Sequence, residues 1–132
     1  MTEEEKKAYV ADRILRAQES LVQTDLLYDN QHYNAAASRL YYAAFYAASA
    51  LLVLRDLSIK THAGVRNELN RHFVKTGVID RQQGRLFANL FDLRQLGDYG
   101  ELHEVDQAAL DVVYLEGKAL VEHLVKLSED RT

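Results

Sequence analysis

Asn34–Leu54, NAAASRLYYAAFYAASALLVL, is the stretch whose reading decides the fold. It holds no glycine, no proline and a single charge, Arg39. Ala and Leu are strong helix formers, and the run is far too long for a strand. A helix that is apolar on nearly every side is buried in protein or in lipid. A bilayer span needs about 20 predominantly apolar residues with no charge at its centre. Here Ser38, Arg39, Ser49 and the tyrosines Tyr41, Tyr42 and Tyr46 interrupt the run, with Tyr33 just ahead of it. The stretch therefore reads as the central helix of a soluble bundle, with no membrane span. A guanidinium inside such a helix calls for a partner, because an unpaired buried charge is strongly destabilising. An ion pair with a carboxylate of another helix is the expectation for Arg39.

The composition around this stretch agrees. The 132 residues suffice for one domain, 1–132, with one core. Hydrophobic content of 48 % against 27 % charged is too apolar for a disordered chain. With no proline and six glycines the chain lacks the turn formers of an all-β fold. The absence of cysteine excludes disulfides and thiolate metal sites. The charged N-terminus, MTEEEKKAYVADRI, is no signal peptide, so the cytoplasm is the expected compartment. A net charge of −4, from 16 Lys and Arg against 20 Asp and Glu, argues against a broad basic surface for duplex nucleic acid. It leaves room for a small basic pocket.

Working outward, a first helix runs from Thr2 or Glu3 to Tyr28. Thr2 with Glu5 fits a capping box, and Glu3, Glu4 and Glu5 suit the positive end of the helix. Ile14, Ala17, Leu21 and Leu27 or Tyr28 form its apolar stripe. Asp29-Asn30 breaks it. The central helix ends near Arg55-Asp56, and Leu57–Thr61 connects to a third helix, His62–Thr76, capped by Thr61. Gly77 stands where a left-handed helix end is expected. Asp80 caps a fourth helix, which the stretch Gly97-Asp98-Tyr99-Gly100 ends. Asp106 caps a fifth, continuous to Ser128. The expected architecture is all-α: an up-and-down bundle of about five helices around a central buried second helix. That helix looks too apolar for one small bundle to cover, so part of it, or of the fourth helix, is expected to form a dimer surface.

Arg94 is the second cation out of place. It lies in line with Phe87 and Leu90 on an apolar face, with Asp98 one turn on. Two readings are open: an Arg–Asp pair closing a helix end, or a site where Arg94 meets a phosphate, for which a planar guanidinium is suited. Lys60, Thr61 and His62 make a donor-rich corner at a helix start, a candidate anion site or a solvated cap. No histidine has metal spacing, and none of the phosphate-loop, zinc-protease or nucleophile-elbow motifs is present, so no metal or cofactor is expected.

Four segments taken together, SRLYYAAFYAASALL (38–52), KTHAGV (60–65), FVKTG (73–77) and LFDLRQLGDYGE (90–101), resemble a small stand-alone prokaryotic subfamily of the HEPN domain, named for higher eukaryotes and prokaryotes nucleotide-binding. The resemblance implies a helical bundle, frequently a homodimer. It implies either a metal-independent ribonuclease toxin or a non-catalytic RNA- or nucleotide-binding module. It also implies a small nucleotidyltransferase partner, which acts as antitoxin and modifies a tyrosine in the HEPN motif. The family's catalytic motif is an arginine followed, after four to six residues, by a histidine. Arg94 matches the arginine. The histidine then falls at Tyr99, Gly100 or Glu101, none of which is His, while His103 comes too late. Tyr99, with a phenol pKa near 10, is a poor base at neutral pH but a competent hydrogen-bond donor. The expected cluster is Arg94, Asp98 and Tyr99, joined by Arg39, Lys60 and His62. Arg94 and Tyr99 are the positions for catalysis if there is any. A ligand-free helical adaptor, in which Arg39 and Arg94 are internal ion pairs, is the remaining alternative.

Overall fold

A computed structural model describes residues 1–99 and 104–129, with only the backbone for residues 97–99. It contains α1 (Glu3–Asp29), α2 (Tyr33–Leu54), α3 (His62–Leu69), a π-helical turn (Asn70–Val74), α4 (Arg81–Tyr99), α5 (Gln107–Asp111) and α6 (Tyr114–Glu129). Among the described residues there is no strand.

Local chemistry sets the helix starts. Thr2 and Glu5 form the expected capping box on α1. Thr61 Oγ1 accepts from Gly64 N at 2.8 Å, Asp80 Oδ1 from Gln83 N at 2.7 Å, and Asp106 Oδ1 from Ala109 N at 2.9 Å. The left-handed residue after α1 is Gln31, φ 65°, rather than Asn30, whose side chain instead donates to Leu26 O. Gly77 takes φ 82° and closes the segment after the π turn.

α2 is the axis of the molecule and touches α1, α3, α4, α5 and α6. It passes the length and composition test for a membrane span, yet most of it is covered by the other helices. Ala36, Ala37, Ala43, Ala44, Ala47 and Ala48 are buried, and their small side chains let the neighbouring helices approach closely. Leu40, Tyr41, Leu51 and Leu52 fill the spaces between, against Phe73, Phe87, Leu90, Leu120 and Leu124. α6 closes on α2 at Gly117, where a Cβ would stand 3.0 Å from Leu40 Cδ2.

Two expectations are corrected. The third helix is not uniform: after Leu69 it widens into the π turn, with Lys75 N donating to Asn70 O. The last helix is not continuous. It breaks at Val112–Val113, where Val113 turns into the core and Val112 stays 74 % exposed. Most of α2 is core, and among the described residues the large apolar side chains left in solvent include Leu15, Val22 and Leu26 on α1, Leu96 on α4, and Val112 and Leu115 around the α5–α6 break.

Candidate functional site

The site is built on one face of α2. Arg39 and Tyr42, three residues apart, share that face, and the Arg39 guanidinium carbon lies 4.9 Å from the centre of the Tyr42 ring. α4 brings Arg94 to the same ring at 5.1 Å, and Arg94 Nη2 donates to the Tyr42 hydroxyl at 3.0 Å. Arg94 also lies 5.8 Å from the Tyr41 ring. Two guanidiniums thus share one phenol, each gaining a cation–π contact worth about 0.5–2 kcal/mol.

The start of α3 supplies the third component. His62 Nδ1 and the Tyr41 hydroxyl are 2.6 Å apart. The imidazole stacks on Phe45 at 4.3 Å and meets the Tyr42 ring edge-to-face at 6.1 Å. Phe91 of α4 packs against both Tyr41 and His62, and the Arg66 guanidinium lies 5.8 Å from Phe91. Burial first, and then the positive charge of Arg94, hold the His62 pKa below its usual 6.5, so the ring is neutral at pH 7. Burial drives the Tyr41 phenol well above its ordinary range, so its proton stays on. The pair has two tautomers. Either Tyr41 donates to Nδ1 and Nε2 carries the imidazole proton, or Nδ1–H donates to the phenol oxygen and Nε2 is left as a base.

Of the residues singled out from the sequence, Arg94, Arg39 and His62 are gathered into one cluster. The ion pair expected for Arg39 is not there: the residue is half-buried rather than buried, and its guanidinium rests on an aromatic face with no carboxylate partner among the described residues. Lys60 is exposed and lines a cavity that His62 and Phe45 also line. The side chains of Asp98 and Tyr99, and all of His103, lie outside the described residues. Sequence reasoning missed Tyr42, the residue that joins the two arginines. Its spacing of three from Arg39 was the available signal. Among the described residues no group of three or more His, Asp or Glu side chains is placed to hold a metal ion.

The family model described as "HEPN domain" matches residues 10–129. A UPF0332 protein of Thermotoga maritima is 38 % identical over 115 residues, covering 87 % of each chain. A protein of Methanocaldococcus jannaschii named "Putative toxin MJ0605" is 34 % identical over 110 residues, covering 83 % of this chain and 81 % of its own. A UPF0332 protein of Gloeobacter violaceus is 36 % identical over 89 residues, covering 67 % of this chain and 71 % of its own. The match runs from the second turn of α1 through the end of α6 and contains every residue of the arginine–tyrosine–histidine cluster, and the chain belongs to the HEPN domain family.

Proposed function

We propose that this chain is an RNA- or nucleotide-binding HEPN module that holds a phosphate on Arg94 and Arg39, and that it works with a small nucleotidyltransferase in a toxin–antitoxin-like pair. The observation that carries the reading is the convergence of two guanidiniums from α2 and α4 on the single ring of Tyr42. Guanidiniums held on an aromatic face are positioned in advance, so less side-chain freedom is lost when an oxyanion binds. Asp98 and Tyr99, which follow Arg94 on α4, belong to the proposed cluster. The toxin name of the Methanocaldococcus relative supports the toxin–antitoxin setting. Exposed Leu96, Val112 and Leu115 support pairing with a second copy.

A second reading, a metal-independent ribonuclease, is favoured by His62. The motif position after Arg94 lacks a histidine, and His62 arrives from α3 in the same aromatic cluster. In the tautomer with Nδ1–H on Tyr41, Nε2 takes the proton of a ribose 2′-hydroxyl. The 2′-oxygen attacks phosphorus to form a 2′,3′-cyclic phosphate, the 5′-oxygen leaves and takes a proton from water, and Arg94 offsets the charge that develops on the phosphate.

One experiment separates the readings: a mixed RNA pool in chelator, with wild type, Arg94→Ala and His62→Ala. The binding module leaves RNA intact and binds it in a salt-sensitive way, with Arg94→Ala weakening affinity about 10- to 100-fold. The ribonuclease cleaves, and both variants stop it. If wild type neither binds nor cleaves, and Arg94→Ala changes only the melting temperature, the chain is a ligand-free adaptor.

A further inference from the structure

A recess opens beside His62. It is a cavity of about 260 Å³ lined by Tyr9, Arg13, Phe45, Ser49, Lys60 and His62. Arg13 lies over Tyr9 at 4.7 Å and near Tyr46 at 5.6 Å, with Asp12 Oδ2 3.7 Å from its Nη1. Asp12 is itself shared with Arg16 at 3.0 Å, so two arginines divide one carboxylate. Lys60 has no carboxylate partner among the described residues, and α3 begins beside it, so the positive end of that helix faces the rim.

The floor carries a second, independent observation. Ser49 is 1 % exposed, and its Oγ has no hydrogen-bond partner among the described residues. A mid-helix serine ordinarily turns its hydroxyl onto a backbone carbonyl one turn back, as Thr24 does to Ser20 O at 2.7 Å. A buried hydroxyl with no partner is costly, and a water or a polar group of a ligand in the recess relieves that cost. Aromatic walls suit a base, cations at the rim suit a phosphate, and the buried hydroxyl suits a polar base edge or a ribose oxygen.

We infer that this recess is a second nucleotide subsite, taking the residue next to the one whose phosphate lies on Arg94 along a single RNA strand. The inference rests on the binding reading above, and it adds the polymer and its path. His62 is the shared wall: its ring stands at right angles to the Tyr42 ring and stacks on Phe45, which also lines the recess. The strand is unpaired, because a recess of this size admits a base only when that base is free of its complement. A net charge of −4 also leaves no broad basic face for a duplex.

The test is the affinity of fluorescent oligoribonucleotides of increasing length, from a 5′-phosphorylated mononucleotide upward, at several salt concentrations. Wild type is set beside Lys60→Gln, Ser49→Ala and Arg94→Ala. Lys60 is exposed, and alanine suits the interior of α2, so both recess variants keep the fold, checked by circular dichroism. Wild type gains about tenfold from the mononucleotide to the dinucleotide. Lys60→Gln and Ser49→Ala lose most of that gain, and Lys60→Gln flattens the logarithmic salt slope by about 0.7. Arg94→Ala weakens every length. If the gain with length survives both recess variants while Arg94→Ala still weakens binding, the subsite is wrong and the Arg94 site stands. If wild type binds no probe of any length, both fall.

Discussion

Two aromatic–charge clusters of this protein are made of the same kinds of residue and differ in arrangement. In the first, where α1 meets α6, Asp25 accepts from the Tyr114 hydroxyl and from Lys118 Nζ at 2.9 and 3.1 Å. Tyr28 packs on the Tyr114 ring at 4.2 Å and donates to Asp111. Tyr114, Lys118 and Tyr28 each donate to a carboxylate. In the second, Arg39 and Arg94 share the Tyr42 ring, Tyr41 is bonded to an uncharged His62, and Arg66 rests near Phe91. The first cluster is a closed network that ties two helices. The second gathers guanidiniums against aromatic rings, and planar cations of this kind suit the recognition of an oxyanion. We propose that the first serves stability and the second recognition.

The largest expected effect breaks the pair apart. Arg94→Ala lowers RNA affinity about 10- to 100-fold, while Asp25→Ala leaves it unchanged, measured by fluorescence anisotropy on the folded variants. The converse follows in stability. Asp25→Ala, which leaves Tyr114 and Lys118 without their acceptor, costs about 1–3 kcal/mol in urea denaturation.

The clusters also separate in pH. His62 is held below 6.5 by burial and then by Arg94. Between that lowered value and 6.5 the unfolded chain binds more protons than the folded one. The stability this contributes is therefore complete above 6.5 and is lost as pH falls from there to the lowered value. Burial works to raise the Asp25 pKa, and the hydrogen bonds from Tyr114 and Lys118 outweigh it, so the group sits below its usual 3.8. Its contribution is complete above 3.8 and is lost only as pH falls further. Urea melts across pH should show His62→Gln flattening the upper window and Asp25→Asn the lower one, neither touching the other. The smallest effect belongs to Arg39→Ala. Half-exposed and screened, this residue should account for about a two- to fivefold change in RNA affinity, read in the same anisotropy assay.

What was legible in the sequence was local. The capping box at Thr2 and Glu5, the caps at Thr61, Asp80 and Asp106, and the left-handed Gly77 are each set within a few residues and were found. The buried course of α2 follows from its composition alone. The π turn at Asn70–Val74 and the break at Val112–Val113 were not legible, because helical periodicity runs through both and only packing distinguishes them. At the site, Arg94 and Arg39 stood out as cations in apolar settings, but an ion pair is only one way to accommodate a guanidinium. The ring three residues after Arg39 supplied another. His62 and Arg94 lie on different helices, and nothing local reports that Tyr41 and Tyr42 bring them into one cluster.

The most direct test of the central claim is the salt dependence of single-stranded RNA affinity, with wild type, Arg94→Ala and Asp25→Ala side by side. The account predicts that affinity falls linearly on logarithmic axes for all three. Asp25→Ala should coincide with wild type, and Arg94→Ala should be weaker and shallower by about 0.7 in slope. If Arg94→Ala instead coincides with wild type in affinity and slope and differs only in melting temperature, then the guanidinium on Tyr42 holds the fold and not the ligand, and the contrast between the two clusters fails.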